Sequence, residues 1–275
     1  MAQQAEHRIR PGIGGWTFEP WRGGVFYPQG LPHGQELHYA SRRVPAIEVN
    51  GTFYRGQSPA TFARWRAETP RGFMFSLKAS RGCTYRKVLA DAGDSVRRFI
   101  GSGIVELGEK LGPIVWQCMP STVFDAGDIA AFLALLPARH EGVALRHVLE
   151  VRHASFRDAA YIALARRHRC AVVFTDSDQF PCLPDVTADF VYARLMMAST
   201  DQATGYGATA LDRWADCAHA WSRGERPDGL DPVTDGDPAA PQGRDVFLFV
   251  INGAKERAPA AADALLRRVG LTPLA

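Results

Sequence analysis

Apolar and polar positions along this chain follow two rhythms. Short apolar runs with period-two alternation mark strands. They fall at residues 8–16, 46–53, 73–80, 112–120, 147–153, 170–177, 190–197 and 245–253. Between them, apolar residues keep to one helical stripe at 34–44, 59–69, 128–137, 155–168, 211–224 and 260–270. A further helix is expected within 81–111, around SVRRFIGSGIVELGE. The punctuation agrees: Pro59 opens one stripe and Pro70 follows it, Pro45 and Pro137 follow two others, and Gly224 and Gly270 end two more.

Alternating strand and helix patterns predict right-handed βαβ units and a parallel sheet. Eight strands in 275 residues predict one α/β domain over residues 1–275, a single (β/α)8 TIM-type barrel with some irregularity. An open doubly wound sheet is the runner-up, but its Gly-rich phosphate loop is not evident. PGIGG at 11–15 is Gly-rich, yet no helix clearly follows it. Residues 224–244 are rich in Pro, Gly and Asp and nearly lack large apolar side chains, so they read as a mobile loop before the last strand.

The alternation also predicts which side chains face the barrel interior, because strand side chains change faces with period two. If Ile47 and Val49 face the helices, Glu48 and Asn50 face inward. With Phe73, Phe75 and Leu77 outward, Ser76 and Lys78 point in; with Ile114 and Trp116 outward, Gln117 does. Leu149 and Val151 leave Glu150 and Arg152, Val173 and Thr175 leave Asp176, and Val191 and Leu195 leave Tyr192 and Arg194. Phe247, Phe249 and Ile251 leave Asn252. Seven strands thus carry a polar group near the C-terminal end of the expected interior face. An unpaired buried polar group costs roughly 1–3 kcal/mol. Seven in register therefore predict one hydrogen-bonded pocket at the C-terminal mouth, where barrel enzymes keep their active sites.

Composition adds little to this and removes several alternatives. Hydrophobic residues make up 46% and charged residues 22%, ordinary values for a globular protein. No apolar run approaches the roughly 20 residues of a membrane span, and the first residues lack a secretory apolar region, so a cytoplasmic protein without membrane association is expected. The five cysteines, at 83, 118, 170, 182 and 217, show no CxxC spacing, which points to free buried thiols. A net charge of +3 is too slight to demand a nucleic-acid partner. Nothing in the sequence sets an oligomeric state.

GIGGW, FYPQGL, EVNGTFYR, TPRGFMFSLKAS, KLGPIVWQCMP and LEVRHASF, in this order and spacing, resemble the YecE-like family, domain of unknown function 72. The resemblance implies a TIM-barrel-like fold and leaves the reaction unassigned. It places the family pattern on Trp16, Glu48, Asn50, Phe53, Tyr54, Lys78, Gln117, Pro120, Glu150, Arg152, His153, Arg194, Tyr206 and Asn252. The chain departs from the pattern at four places. Thr84-Tyr85 stands for Thr-His, Arg194-Leu195-Met196-Met197 for Arg-x-His-Gly, and Phe156 for Trp. Only Asn252 remains of paired asparagines.

The residues support an enzyme acting on a small phosphate- or carboxylate-bearing substrate, with hydrolase- or lyase-like chemistry. Lys78, Arg152 and Arg194 would meet the anion. Glu48, Glu150 and Lys78 are the candidates for acid–base work. Trp16, Asn50, Tyr54, Gln117, Arg152, His153, Asp176, Arg194, Tyr206 and Asn252 are the candidate substrate-binding residues. No cofactor is predicted. A second reading is metal-dependent phosphoester cleavage, with a nucleic acid as one candidate substrate and Glu48, Glu150, His153 and Asp176 as ligands of a divalent ion. A third is non-catalytic binding of a metabolite or nucleic-acid strand, with Trp16, Tyr54, Trp116 and Tyr206 as stacking faces.

Overall fold

A computed structural model of the chain describes residues 8–238, 240 and 242–274. Eight parallel strands close into a barrel: β1 (Ile9–Gly14), β2 (Ala46–Val49), β3 (Met74–Lys78), β4 (Leu111–Gln117), β5 (His147–Glu150), β6 (Ala171–Thr175), β7 (Phe190–Leu195) and β8 (Asp245–Val250). Each strand pairs with its sequence neighbours, and β8 returns to β1. Both faces of such a sheet are covered, which is why all eight strands are almost entirely buried.

The helices are α1 (Glu36–Ala40), α2 (Gly51–Tyr54), α3 (Pro59–Glu68), α4 (Arg81–Thr84), α5 (Gly93–Ile100), α6 (Ala126–Ala134), α7 (Ala159–Arg167), α8 (Ala208–Ser222) and α9 (Ala258–Arg268). Local chemistry starts several of them. Ser58 caps α3 by accepting from the Thr61 N–H, and Asp125 and Asp158 do the same for α6 and α7. The barrel is irregular between β6 and β7, where residues 176–189 form no helix. No helix among the described residues is long and apolar enough to cross a membrane.

Two strands have the opposite parity to that expected. In β6, Val172 and Phe174 face the helices while Val173 and Thr175 face inward. In β8, Val246, Leu248 and Val250 face out, while Phe247 and Phe249 stand beside Tyr192 and Arg194 inside. Both strands carry apolar residues on both faces along most of their length, so alternation does not mark the interior. Gly12 makes room for this filling: a Cβ there would lie 2.7 Å from the Phe249 ring and 2.5 Å from the Ala46 carbonyl oxygen. PGIGG therefore serves barrel packing.

The interior is layered. At the N-terminal end Asp245 pairs with Arg10 at 3.0 Å and with Arg146 at 2.9 Å. Met74, Val115, Val148, Val173, Phe247 and Phe249 fill the middle. The polar layer lies above them. The described residues among 224–244 form no helix or strand and are tied down largely by polar pairs, with Leu230 and Val233 packed against the core. Asp185 accepts from the Val233 and Thr234 N–H groups, Asp237 accepts from Arg226, and Asp231 accepts from Arg157.

Candidate functional site at the barrel mouth

The buried polar layer is built around Arg194, near the end of β7. Its Nε and Nη2 donate to Oε2 and Oε1 of Glu48 at 3.1 and 2.9 Å. Its Nη1 donates to Oε2 of Glu150 at 2.6 Å. The planar guanidinium thus bridges β2 and β5, strands that are not adjacent in the barrel, as a fork can and an ammonium cannot. The second oxygen of Glu150 accepts from Nε and Nη2 of Arg152 at 3.0 and 2.8 Å. Arg152 also donates to Gln117 Oε1 at 3.0 Å, and Gln117 Nε2 donates to the Tyr85 hydroxyl at 3.1 Å. On the other side, the Tyr192 hydroxyl donates to Glu48 at 2.7 Å and lies 2.7 Å from the Ser76 hydroxyl. The chain of contacts runs Ser76–Tyr192–Glu48–Arg194–Glu150–Arg152–Gln117–Tyr85 and spans the mouth.

Its electrostatics follow from those contacts. Burial pushes the Glu150 carboxyl up, but Arg194 and Arg152 more than reverse this and hold it below its ordinary value. Burial alone would lower Arg194; Glu150 and Glu48 outweigh it and hold the guanidinium charged. Burial and the nearby Glu48 carboxylate raise Tyr192 well above the ordinary phenol value, so it remains a donor.

Lys78 is different. It is 7% exposed, and Nζ sits 4.2 Å from the centroid of the Phe53 ring. Nζ makes no hydrogen bond or ion pair with any described residue, while solvent still reaches it. Burial, then the Arg194 charge, lower its pKa to about 8, against the opposing pull of Glu48 and Glu150. Two threonines build this corner. The Thr52 hydroxyl, in the turn that ends β2, donates to the Lys78 carbonyl at 2.7 Å and so sets Phe53 beside Nζ. The Thr84 hydroxyl donates to the Gln117 carbonyl at 2.5 Å and sets Tyr85 over Gln117. Tyr85 also meets Phe53 edge-on, 5.2 Å between ring centroids.

The remaining expected residues disperse. Asn50 lies at the end of β2 beside Gly14, and Tyr54 is 74% exposed on the rim. Trp16 packs against Trp65 and Phe75, and Trp116 against Phe99 and Phe132, all on the helix side. His153 accepts from the Ser155 N–H and caps the turn Ala154–Phe156. The reversed parity of β6 and β8 removes two more from the interior. Asp176 turns away from the network and accepts from the Met196 N–H and the Tyr206 hydroxyl, while Asn252 lies exposed in a bend past β8. Burial raises the Asp176 carboxyl, against the N–H and hydroxyl groups that it accepts from. Glu48, Glu150, His153 and Asp176 therefore do not converge. No group of three or more His, Cys, Asp or Glu side chains among the described residues is arranged to hold a metal ion.

Several contributors carry no chemical signal in sequence. Thr52 and Thr84 act through carbonyls 26 and 33 positions away. Phe180, whose ring lies 4.4 Å under the Arg152 guanidinium, sits in an irregular loop. Tyr192 and Ser76 are legible as inward residues, but their junction with Glu48 is not.

A closed (β/α)8 barrel with a polar, cation-rich C-terminal mouth defines an α/β-barrel protein with a candidate small-molecule site. The chain belongs to the family described as protein of unknown function DUF72, whose model matches residues 10–274. It is similar to a DUF72 family protein of Thermotoga maritima, with 22% identity, 94% of this chain and 97% of that chain covered, and a TM-score of 0.68. A DUF72 family protein of Enterococcus faecalis shares 12% identity over 96% of each chain, with a TM-score of 0.67. These likenesses carry the fold. Comparison with curated proteins finds no match.

Proposed function

We propose that the C-terminal mouth is the active site of an enzyme acting on a small phosphate- or carboxylate-bearing substrate. The observation that carries this reading is Lys78, a buried ammonium with no acceptor among the described residues. Nearly every other polar atom of the layer is committed. Glu48 and Glu150 each have both oxygens engaged, which suits them to hold Arg194 and set the local charge. Lys78, Arg152 and Arg194 outnumber the two carboxylates by one, so the layer has an uncompensated positive charge. An anion docked between Lys78 and Arg152 supplies the missing partner. Lys78 then serves as the acid–base group, because an amine with a pKa of about 8 exchanges protons near neutrality.

Calorimetric titration with inorganic phosphate, L-lactate and glucose tests this reading. Phosphate or lactate is expected to bind and glucose is not, and Lys78→Met should weaken the anion about tenfold or more. Absence of anion binding, or equal binding by Lys78→Met, contradicts it.

A further inference from the structure

We infer that Lys78 is a Schiff-base lysine, and that the substrate class is a small carbonyl compound bearing a carboxylate or phosphate. This deepens, and rests on, the anion-site reading above. Its support is geometric. Nζ lies 4.2 Å from the centroid of the Phe53 ring on a side chain that is 7% exposed, and it donates no hydrogen bond to any described residue. The charged groups acting on it are Arg194, Arg152, Glu48 and Glu150. The first two favour the neutral amine that attacks a carbonyl, and both carboxylates that would oppose this are already clamped by arginines. Arg152 stands beside Gln117, placed to hold the anionic end of a substrate whose carbonyl meets Nζ.

The composition fits as well. The chain has four lysines, Lys78, Lys87, Lys110 and Lys255, among 32 Lys and Arg residues. A cation needed only for charge could be arginine here as almost everywhere else. Imine formation requires a primary amine that can lose its proton, which arginine cannot provide.

The step balances without a co-reactant beyond water. The neutral Nζ attacks the carbonyl carbon, a C–N bond forms, and the C=O π pair moves to oxygen, which takes up a proton as the nitrogen gives one up. The resulting carbinolamine loses its hydroxyl as water with one further proton, and the nitrogen lone pair closes the C=N bond. Amine, carbonyl and one proton give iminium and water. The iminium then withdraws electrons from the neighbouring carbon, the requirement of lyase chemistry.

The test is reductive trapping with pyruvate and cyanoborohydride near pH 7, followed by peptide mapping, with calorimetry of L-lactate alongside. Lactate is an anion of the same size without the carbonyl. Lys78 is expected to be trapped at least tenfold faster than Lys87, since a pKa of about 8 instead of 10.5 exposes on the order of 100-fold more free amine. Lys78→Arg should abolish trapping at this position, and the wild-type protein should bind lactate. Lactate binding that depends on Lys78, without trapping at Lys78, overturns the Schiff base and spares the anion site. Absence of both overturns the two readings together. Trapping spread evenly over the four lysines also overturns the inference.

Discussion

Lys110 and Lys78 are both nearly buried, at 6% and 7% exposure, and lie at opposite ends of neighbouring strands. Lys110 immediately precedes β4, at the N-terminal end of the barrel. Its ammonium donates to the Arg66 carbonyl at 2.7 Å, the Thr69 carbonyl at 2.5 Å and the Thr69 hydroxyl at 3.1 Å. All three of its protons have acceptors. Lys78 ends β3 at the C-terminal face and donates to no described residue. A buried charge that is fully hydrogen-bonded ties elements together. One that lacks partners costs stability and is retained for what it does to something else. Lys110 is thus a structural tie, and Lys78 marks the candidate site.

The largest expected effect breaks the satisfied part of the mouth. Arg194→Met leaves Glu48 and Glu150 buried without their shared cation. Breaking a buried pair costs about 3–5 kcal/mol, so chemical denaturation should show a loss of this size or failure to fold.

The two lysines should then respond with opposite signs. Lys110→Met strands two carbonyls and a hydroxyl and should destabilise by about 1–3 kcal/mol. Lys78→Met removes a charge that folding disfavours and should stabilise by about 1–3 kcal/mol near pH 7, at the expense of anion binding. The pH dependence follows from the same asymmetry. The folded-state pKa of Lys78 is lowered from 10.5 to about 8, so between those values the unfolded chain binds the extra proton. The Lys78 contribution to stability is therefore unfavourable below pH 8 and relieved as pH rises toward 10.5. The stability gain of Lys78→Met over the wild-type protein should shrink across that window. Parallel stability curves would contradict the lowered pKa.

The smallest effect is on the rim. Tyr54 is 74% exposed, and Tyr54→Ala should change stability by less than about 0.5 kcal/mol. A loss of anion affinity in that variant would extend the site outward to the α2 turn.

Sequence periodicity reveals much of this arrangement, with limits of a physical kind. Glu48, Gln117, Glu150 and Arg194 are legible as interior residues because each interrupts an apolar alternation in its own strand. Asp176 and Asn252 are misassigned because β6 and β8 carry apolar residues on both faces along most of their length, so period two marks no side. The residue types of the Glu48–Arg194 clamp are visible, but its pairing spans 146 positions and depends on barrel closure. Residues 50–53 read as the end of a strand. They become a helical turn once Thr52 bonds to the Lys78 carbonyl, a contact no local pattern encodes.

The most direct measurement is an NMR titration of the lysine side chains, which is tractable because the chain has only four. One resonance, absent in Lys78→Arg, should titrate at about 8 and move to higher pH when inorganic phosphate is added. If Lys78 instead titrates near the ordinary lysine value and phosphate leaves it unmoved, Lys78 is neither desolvated nor the anion-facing group of the mouth.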